Sequence, residues 1–337
     1  PLVLESFGDY KSPLYTYLSV PSVLVFGLNK FSVRLPNAII GTLAIYALYL
    51  LVGELIKKKG DNANLMATLA AFLLAVSPWH IMMSRGAFEA NLTTALLPLS
   101  LYFFLKSFEK PKSLILSVVF LGLNLFSYHS AKFVVPLVFL SAVLIYRREL
   151  LKNFRVYHKI SIGVLIVFLA LFAISLKSGS STRIFDVSIF KTSLLEASSE
   201  RIKAINEGMN PILARVVYNK YQAGIRHFMG NYITYFSPQF YFSQGPGEST
   251  YGMIPGKGVL YWFELPLIFL GLIYFLKNIS NKALWVIIVW FLLSPIPAAL
   301  STGPGYAANR AEVSLPSIQI ICVMGLYFLV SKVNFLK

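Results

Sequence analysis

The chain has 337 residues, 56% of them hydrophobic and only 13% charged, with a mean hydropathy of +0.67. A soluble domain carries about 25% charged residues, so this composition excludes a water-soluble globular protein. The net charge of +16 invites a nucleic-acid reading. Its placement excludes one, because the basic residues crowd into short loops between apolar blocks, where a membrane anchor accounts for them.

Read from the N-terminus, residues 14–28 form an apolar block punctuated by Pro13, Pro21 and Gly27, which predicts a helix at the interface or half-buried. Nine further blocks follow with almost no charge: 31–56, 65–81, 92–105, 114–128, 133–146, 160–176, 259–276, 284–300 and 313–330. A helix rises about 1.5 Å per residue, so ~20 apolar residues cross a ~30 Å hydrocarbon core. Several blocks are shorter and must draw on flanking polar residues or local thinning. The expected fold class is therefore all-α, a polytopic transmembrane helical bundle of about nine spans. The single cysteine, Cys322, lies inside the last block and reads as a small core residue. The chain begins at Pro1 without a methionine or a visible signal peptide, and reads as a fragment of something longer.

If the nine spans alternate, every Lys/Arg-rich loop (Lys57-Lys58-Lys59, 106–112, 147–159, 277–282 and the C-terminus) falls on one side. The positive-inside rule makes that side cytoplasmic, and the expected location is the cell membrane. The chain then divides into an extracytoplasmic loop with a juxtamembrane helix (1–30), transmembrane helices (31–177), a large extracytoplasmic loop (178–258) and C-terminal transmembrane helices (259–337). In the large loop, Asn210-Pro211 is a helix start, with Asn as cap and Pro at the first position. Ile212, Val216, Ile225, Phe228 and Tyr232 then recur at helical spacing with Arg215, Lys220 and Arg226 between them. That pattern suits a helix on the outer leaflet and equally a helix packed on the other loops.

Ionisable residues at membrane depth usually mark a substrate pathway, and few lie mid-span here. The unusual polar residues gather instead at the outer ends of the blocks, in four clusters. The first runs from Glu5 through Asp9, Tyr10 and Lys11 to Tyr15; Lys11 could hold a lipid phosphate as a point charge, while on spacing alone a snorkelling lysine is the commoner reading. The second joins Ser77-Pro78-Trp79-His80 to Arg85 and Glu89, which at four apart could be a surface pair on one helical face. The third is Tyr128-His129-Ser130-Ala131-Lys132, where His129 could titrate near neutral pH but a lone histidine is more often structural. The fourth runs from Gly303 to Glu312; Arg310 could grip a phosphate or carboxylate, or pair with Glu312 or headgroups. Asn91-Leu92-Thr93 matches a glycosylation sequon but abuts a span. The sequence has no Cys/His metal spacing, nucleotide-binding Gly motif or nucleophile elbow.

At these clusters the sequence resembles the GT-C polytopic membrane glycosyltransferases, specifically members related to protein O-mannosyltransferases and lipid A aminoarabinose transferases. The matching segments, in order, are Phe7-Gly-Asp-Tyr-Lys-Ser-Pro-Leu-Tyr15, Phe26-Gly-Leu-Asn through Val33-Arg-Leu-Pro36, Ser77-Pro-Trp-His80, Ser84-Arg-Gly-Ala-Phe-Glu-Ala-Asn91, Asn231-Tyr-Ile-Thr-Tyr-Phe-Ser-Pro238 and Phe263-Glu-Leu-Pro266. The resemblance implies transfer of a sugar from a polyprenyl-phosphate donor to a lipid, glycan or protein acceptor on the outer face, with membrane lipids around it. It implies Asp9 and Glu89 as catalytic carboxylates, and Lys11, Tyr15, Arg85, His129, Lys132 and Arg310 as substrate-binding residues. Lys11 matches the family's phosphate-contacting lysine despite the intervening Ser12. The family's principal acid pair sits upstream of that lysine, after a first span, so the main base is expected outside this chain, which alone would be inactive. No cofactor follows with certainty; a divalent metal stays open, and no metal ligand is assigned. A lipid-linked glycan polymerase or ligase, and a transporter, are the other classes considered; a transporter predicts mid-span polar gaps and a pseudo-repeat.

Overall fold

The computed structural model describes the chain except residues 7–8, 58–61, 153–155, 178–188, 247–253, 255, 302–306 and 336–337. It is a helical bundle, and the one sheet among the described residues is a hairpin of β1 (Leu4–Ser6) and β2 (Asp9–Lys11), with Leu4 opposite Lys11 and Ser6 opposite Asp9. The block at 14–28 becomes α1 (Leu14–Phe26), packed on α2 (Lys30–Leu55). α2 starts where a capping box allows: the Asn29 side chain accepts from the Phe31 and Ser32 amides while Ser32 Oγ accepts from the Asn29 amide.

Then come α3 (Asn62–Val76) and α4 (Pro78–Arg85), meeting at a 58° bend. Pro78 stands at the first position of α4, where its missing N–H costs nothing but α3 cannot continue through it. A 3-10 turn (Glu89–Asn91) leads into α5 (Leu92–Lys106), buried along most of its length. α5 is pinned to α6 (Ser113–Asn124) by Ser100 and Ser117, each donating its hydroxyl to the other's carbonyl at 2.9 and 2.7 Å. α7 (Ala131–Ile145), the short α8 (Arg147–Lys152) and α9 (Val156–Ser175) follow, and α9 buries only His158, Ser161 and Ser175.

The large loop carries α10 (Ile189–Asn206), α11 (Pro211–Val217) and α12 (Lys220–Thr234). The single helix expected from Asn210 onward is thus two. Asn210 caps α11 as anticipated, but Asn219 starts afresh, its side chain accepting from the Tyr221 and Gln222 amides. The C-terminal part is α13 (Glu264–Lys277), α14 (Lys282–Leu293), α15 (Ile296–Ala299), α16 (Ala308–Ala311), a 3-10 turn (Glu312–Ser314) and α17 (Leu315–Phe335).

All nine apolar blocks contain helix. Among the described residues, however, four helical stretches are long and apolar enough to cross a membrane: Lys30–Leu55, Val156–Ser175, Lys282–Ala299 and Ala308–Ser331. The bent α3–α4 pair makes up to five. The remaining blocks form helices too short to meet that test alone. The basic loops that alternation assigns to one side are linked there: Lys57 pairs with Glu109 at 2.8 Å and Lys282 with Glu149 at 2.5 Å. The hydrogen bond from Lys57 holds the Glu109 carboxyl below the usual carboxylate range.

α13 and α17 make the most extensive helix pair, and glycines make it possible. A Cβ on Gly271 would lie 2.1 Å from the Ile321 carbonyl oxygen, and one on Gly325 would lie 2.0 Å from that of Leu267. Gly325→Val is expected to force the helices apart and destabilise the protein by about 1–3 kcal/mol. A detergent-solubilised thermal melt checks it, and an unchanged midpoint refutes the close packing. Cys322 is fully buried in this seam, 3.9 Å from Glu264 Oε2.

Candidate active site

The four polar clusters are far apart in sequence, and backbone and amide hydrogen bonds draw them to one end of the bundle. The first meets the third. His129 Nε2 lies 3.0 Å from the Tyr10 carbonyl oxygen, and the Leu14 amide donates to the Phe126 carbonyl at 3.2 Å. His129 therefore latches the hairpin to the turn before α7. Lys11 closes the hairpin and is exposed, beside a buried Ser12. Tyr15 is buried and donates its hydroxyl to the Val33 carbonyl at 2.8 Å, tying α1 to α2.

The second cluster is held by α2 through an amide bracket. Asn37 Nδ2 donates to the carbonyls of Met83 (2.8 Å) and Gly86 (2.7 Å) and stands 3.3 Å from that of Phe88. Asn91 Nδ2 donates to Asn37 Oδ1 at 2.9 Å and to Ser84 Oγ at 3.2 Å. Just below, His80 Nε2 lies 3.0 Å from the Gly41 carbonyl, and a Cβ on Gly41 would meet Ser84 Oγ at 2.2 Å. Gly41 thus lets α4 close on α2. The loop from Arg85 to Asn91 is fixed to the span beneath it.

Arg85 and Glu89 do not share a helical face, as their spacing suggested. α4 stops at Arg85 because Gly86 is extended (φ −101°, ψ 179°), and Glu89 opens a separate 3-10 turn. Arg85 is exposed and Glu89 half-buried. The Glu89 carboxylate acts electrostatically on both Tyr15 and Lys132, so residues of three clusters share one local field.

The fourth cluster packs on this turn: the Glu89–Asn91 turn contacts both α16 and the Glu312–Ser314 turn. Arg310 donates from Nη1 to Ser301 Oγ. Glu312 is fully buried, and neither of its carboxylate oxygens has a hydrogen-bond partner among the described residues. The pairing of Arg310 with Glu312 is therefore not formed, since residues two apart on tight turns face different ways. The segment 303–306 and the side chain of Asp9 lie outside the described residues. The large loop is stapled to the same region: the Ala307 amide donates to Tyr235 Oη at 3.0 Å, and Asn231 Nδ2 to the Ala299 carbonyl at 3.2 Å.

The arrangement thus offers a carboxylate, Glu89, with Lys132 and Tyr15 in its field, and an exposed lysine and arginine on the flanking loops. Such a site can accept a proton at a carboxylate and hold an anionic leaving group by cations. Among the described residues no group of three or more His, Cys, Asp or Glu side chains is placed to hold a metal ion. Asn37, the hub of the bracket, was not singled out by sequence; the signal was a neutral amide directly after Pro36 inside an apolar block. Glu264 and Gln319 carry a similar signal: two polar side chains in the α13–α17 seam, bonded at 2.9 Å.

Residues 10–173 match the family of dolichyl-phosphate-mannose-protein mannosyltransferases. No curated protein sequence matches the chain. Among solved structures it is similar to ArnT from Cupriavidus metallidurans in the apo state, with a TM-score of 0.50 and 13% identity over 94% of this chain and 49% of that one. ArnT bound to undecaprenyl phosphate gives 0.51 and 12%, over 97% and 52%. The Archaeoglobus fulgidus oligosaccharyltransferase tethered to an acceptor peptide gives 0.54 and 17%, over 96% and 42%. The chain therefore spans about half the length of the structures it resembles. With a family match across residues 10–173 and a shared fold along nearly its whole length, the chain is built on the fold of the GT-C membrane glycosyltransferases.

Proposed function

We propose that this chain is the membrane-embedded part of a glycosyltransferase that moves a sugar from a polyprenyl-phosphate donor to an acceptor at the extracytoplasmic face of the cell membrane. The observation that carries the reading is the convergence of all four polar clusters at the end of the bundle opposite the basic loops. The matched mannosyltransferase family and the ArnT complex with undecaprenyl phosphate support the donor class.

In this reading the anomeric carbon–oxygen bond to the lipid phosphate breaks, and its electron pair stays on the phosphate oxygen. An acceptor heteroatom bonds to the anomeric carbon, and its proton passes to a carboxylate. Lys11 holds the phosphate as it gains charge, with Lys132, Arg85 and Arg310 as further cations. Glu89 is a carboxylate of this site and Asp9 a second. Tyr15 and His129 set the position of the lysine-bearing hairpin through their bonds to Val33 and Tyr10.

The full-length protein, purified and supplied with polyprenyl-phosphate sugars and membrane extract, is expected to release free polyprenyl phosphate as sugar transfers. Uptake of labelled sugar into sealed vesicles without donor cleavage would establish the transporter reading instead. Growth of a glycan on its lipid carrier would establish the polymerase.

A further inference from the structure

The large loop bears a surface that sugar transfer does not use. α11 and α12 leave exposed an apolar set that a protein facing only water would bury. On α12, Tyr221, Ile225, Met229 and Ile233 recur every fourth residue, which stacks them along one helix face. They are 62%, 59%, 48% and 63% exposed. On α11, Ile212, Leu213 and Val216 are more than half exposed. Contiguous apolar area of this kind marks an interaction surface.

The rest of the fold indicates what covers it. Two polar side chains of α12 bond α10: Arg226 pairs with Glu196 and Glu200 at 2.9 and 2.8 Å, and His227 bonds Glu196. Ala223 and Gly224 are buried. The C-terminal turns of α12 are bolted to a membrane-spanning stretch, since Tyr232 Oη donates to the Leu292 carbonyl at 2.8 Å and Asn231 to Ala299. Leu292 and Ala299 lie toward the end of Lys282–Ala299 opposite the Lys282–Glu149 pair. α12 therefore sits at the level where that span leaves the hydrocarbon. Two exposed cations, Arg215 and Lys220, stand at the junction of α11 and α12, and Lys220 Nζ rests 4.9 Å from the Tyr221 ring centroid. An apolar face, aromatic and basic residues beside it, and a fixed height at a span end together match an interfacial helix.

We propose that α11 and α12 lie in the membrane interface on the active-site side, with the Tyr221–Ile233 stripe and the α11 apolar face seated in lipid and Arg215 and Lys220 at the level of the phosphate headgroups. Lipid is the one occupant that the bolted span end and the basic junction both call for. The seat extends to the candidate site, because α12 runs directly into Tyr235, which binds the Ala307 amide.

The test is site-directed spin labelling of the full-length protein in nanodiscs containing phosphatidylglycerol. Ile225→Cys and Met229→Cys are each labelled on a background with Cys322→Ala and no other reactive cysteine, and Glu207→Cys, just past the end of α10, serves as the water-exposed reference. Oxygen concentrates in hydrocarbon and a nickel chelate stays in water, so the ratio of their collision rates is expected to be about tenfold higher at 225 and 229 than at 207. A nickel-dominated ratio at both positions would overturn the proposal, leaving the stripe in water. Low collision rates with both reagents would overturn it equally, by showing that protein covers the stripe: another segment or a second copy.

Discussion

Replacing Lys11 with alanine in the full-length protein is expected to lower sugar transfer by about 10²–10³-fold, with the protein still monodisperse in detergent. That is the cost measured when one donor aimed at a developing negative charge is removed. The side chain is exposed at the closing end of the hairpin, so its loss empties no core. A contact that grows stronger as the phosphate gains charge lowers kcat as well as kcat/KM, whereas a uniform grip on the donor raises KM alone. Lys30→Ala is the matched control, being a second lysine at the start of the first span. If Lys11 only snorkels, both variants retain wild-type turnover within a factor of about three, as expected for an interfacial lysine. Lys11→Arg tests the geometry, since a planar guanidinium does not replace a compact ammonium atom for atom.

The bundle was legible in the sequence because a bilayer imposes one strong rule, that apolar blocks become helices which satisfy their own backbone. The bend before Pro78 was not read, since the apolar block 65–81 runs through that proline unbroken. What escaped was information carried by single polar side chains over long separations. Asn219 caps a new helix where the apolar recurrence from Ile212 to Tyr232 runs on as though unbroken, because Tyr218 and Asn219 do not disturb that count. Asn37 lies 46 to 51 residues from the carbonyls it binds, and no local spacing reports such a contact. A search for charges at membrane depth passed over it because an amide is neutral. The clusters were legible as candidates at one face, since charged residues at span ends are costly without a use; which of them touch was not, because loops that are distant in sequence give no sign of which of them meet. Local pairings inferred from neighbouring numbers fared worst. Arg85 with Glu89 failed at an extended glycine, and Arg310 with Glu312 failed on tight turns that leave both Glu312 carboxylate oxygens unbonded among the described residues.

Asn37→Leu puts that bracket to the test. Leucine has the same branched heavy-atom skeleton as asparagine with bulkier ends, so the change removes hydrogen bonds without opening a void. It strips the Met83 and Gly86 carbonyls of their donor and Asn91 of its acceptor, and the bonds to Met83 and Asn91 are buried, out of reach of water. Each orphaned group costs about 1–3 kcal/mol, and partial relaxation of the loop leaves about 3–5 kcal/mol in total. The protein is expected to melt earlier, and hydrogen exchange at residues 82–91 to rise well before any change in α13 or α17. Turnover is expected to fall more than about tenfold, because catalytic groups displaced by ~1 Å lose about that much or more. Asn37→Asp is expected to be at least as damaging, since an ionised carboxylate presents acceptors to two carbonyl oxygens. Asn29→Ala separates local from global loss: it removes the cap of the same helix for about 1 kcal/mol but leaves the bracket intact, so exchange at 82–91 stays low. Wild-type turnover in Asn37→Leu would show that the Arg85–Asn91 loop does not need its bracket. Glu89 would then lose its standing as a positioned carboxylate, because its placement depends on that loop being held to α2.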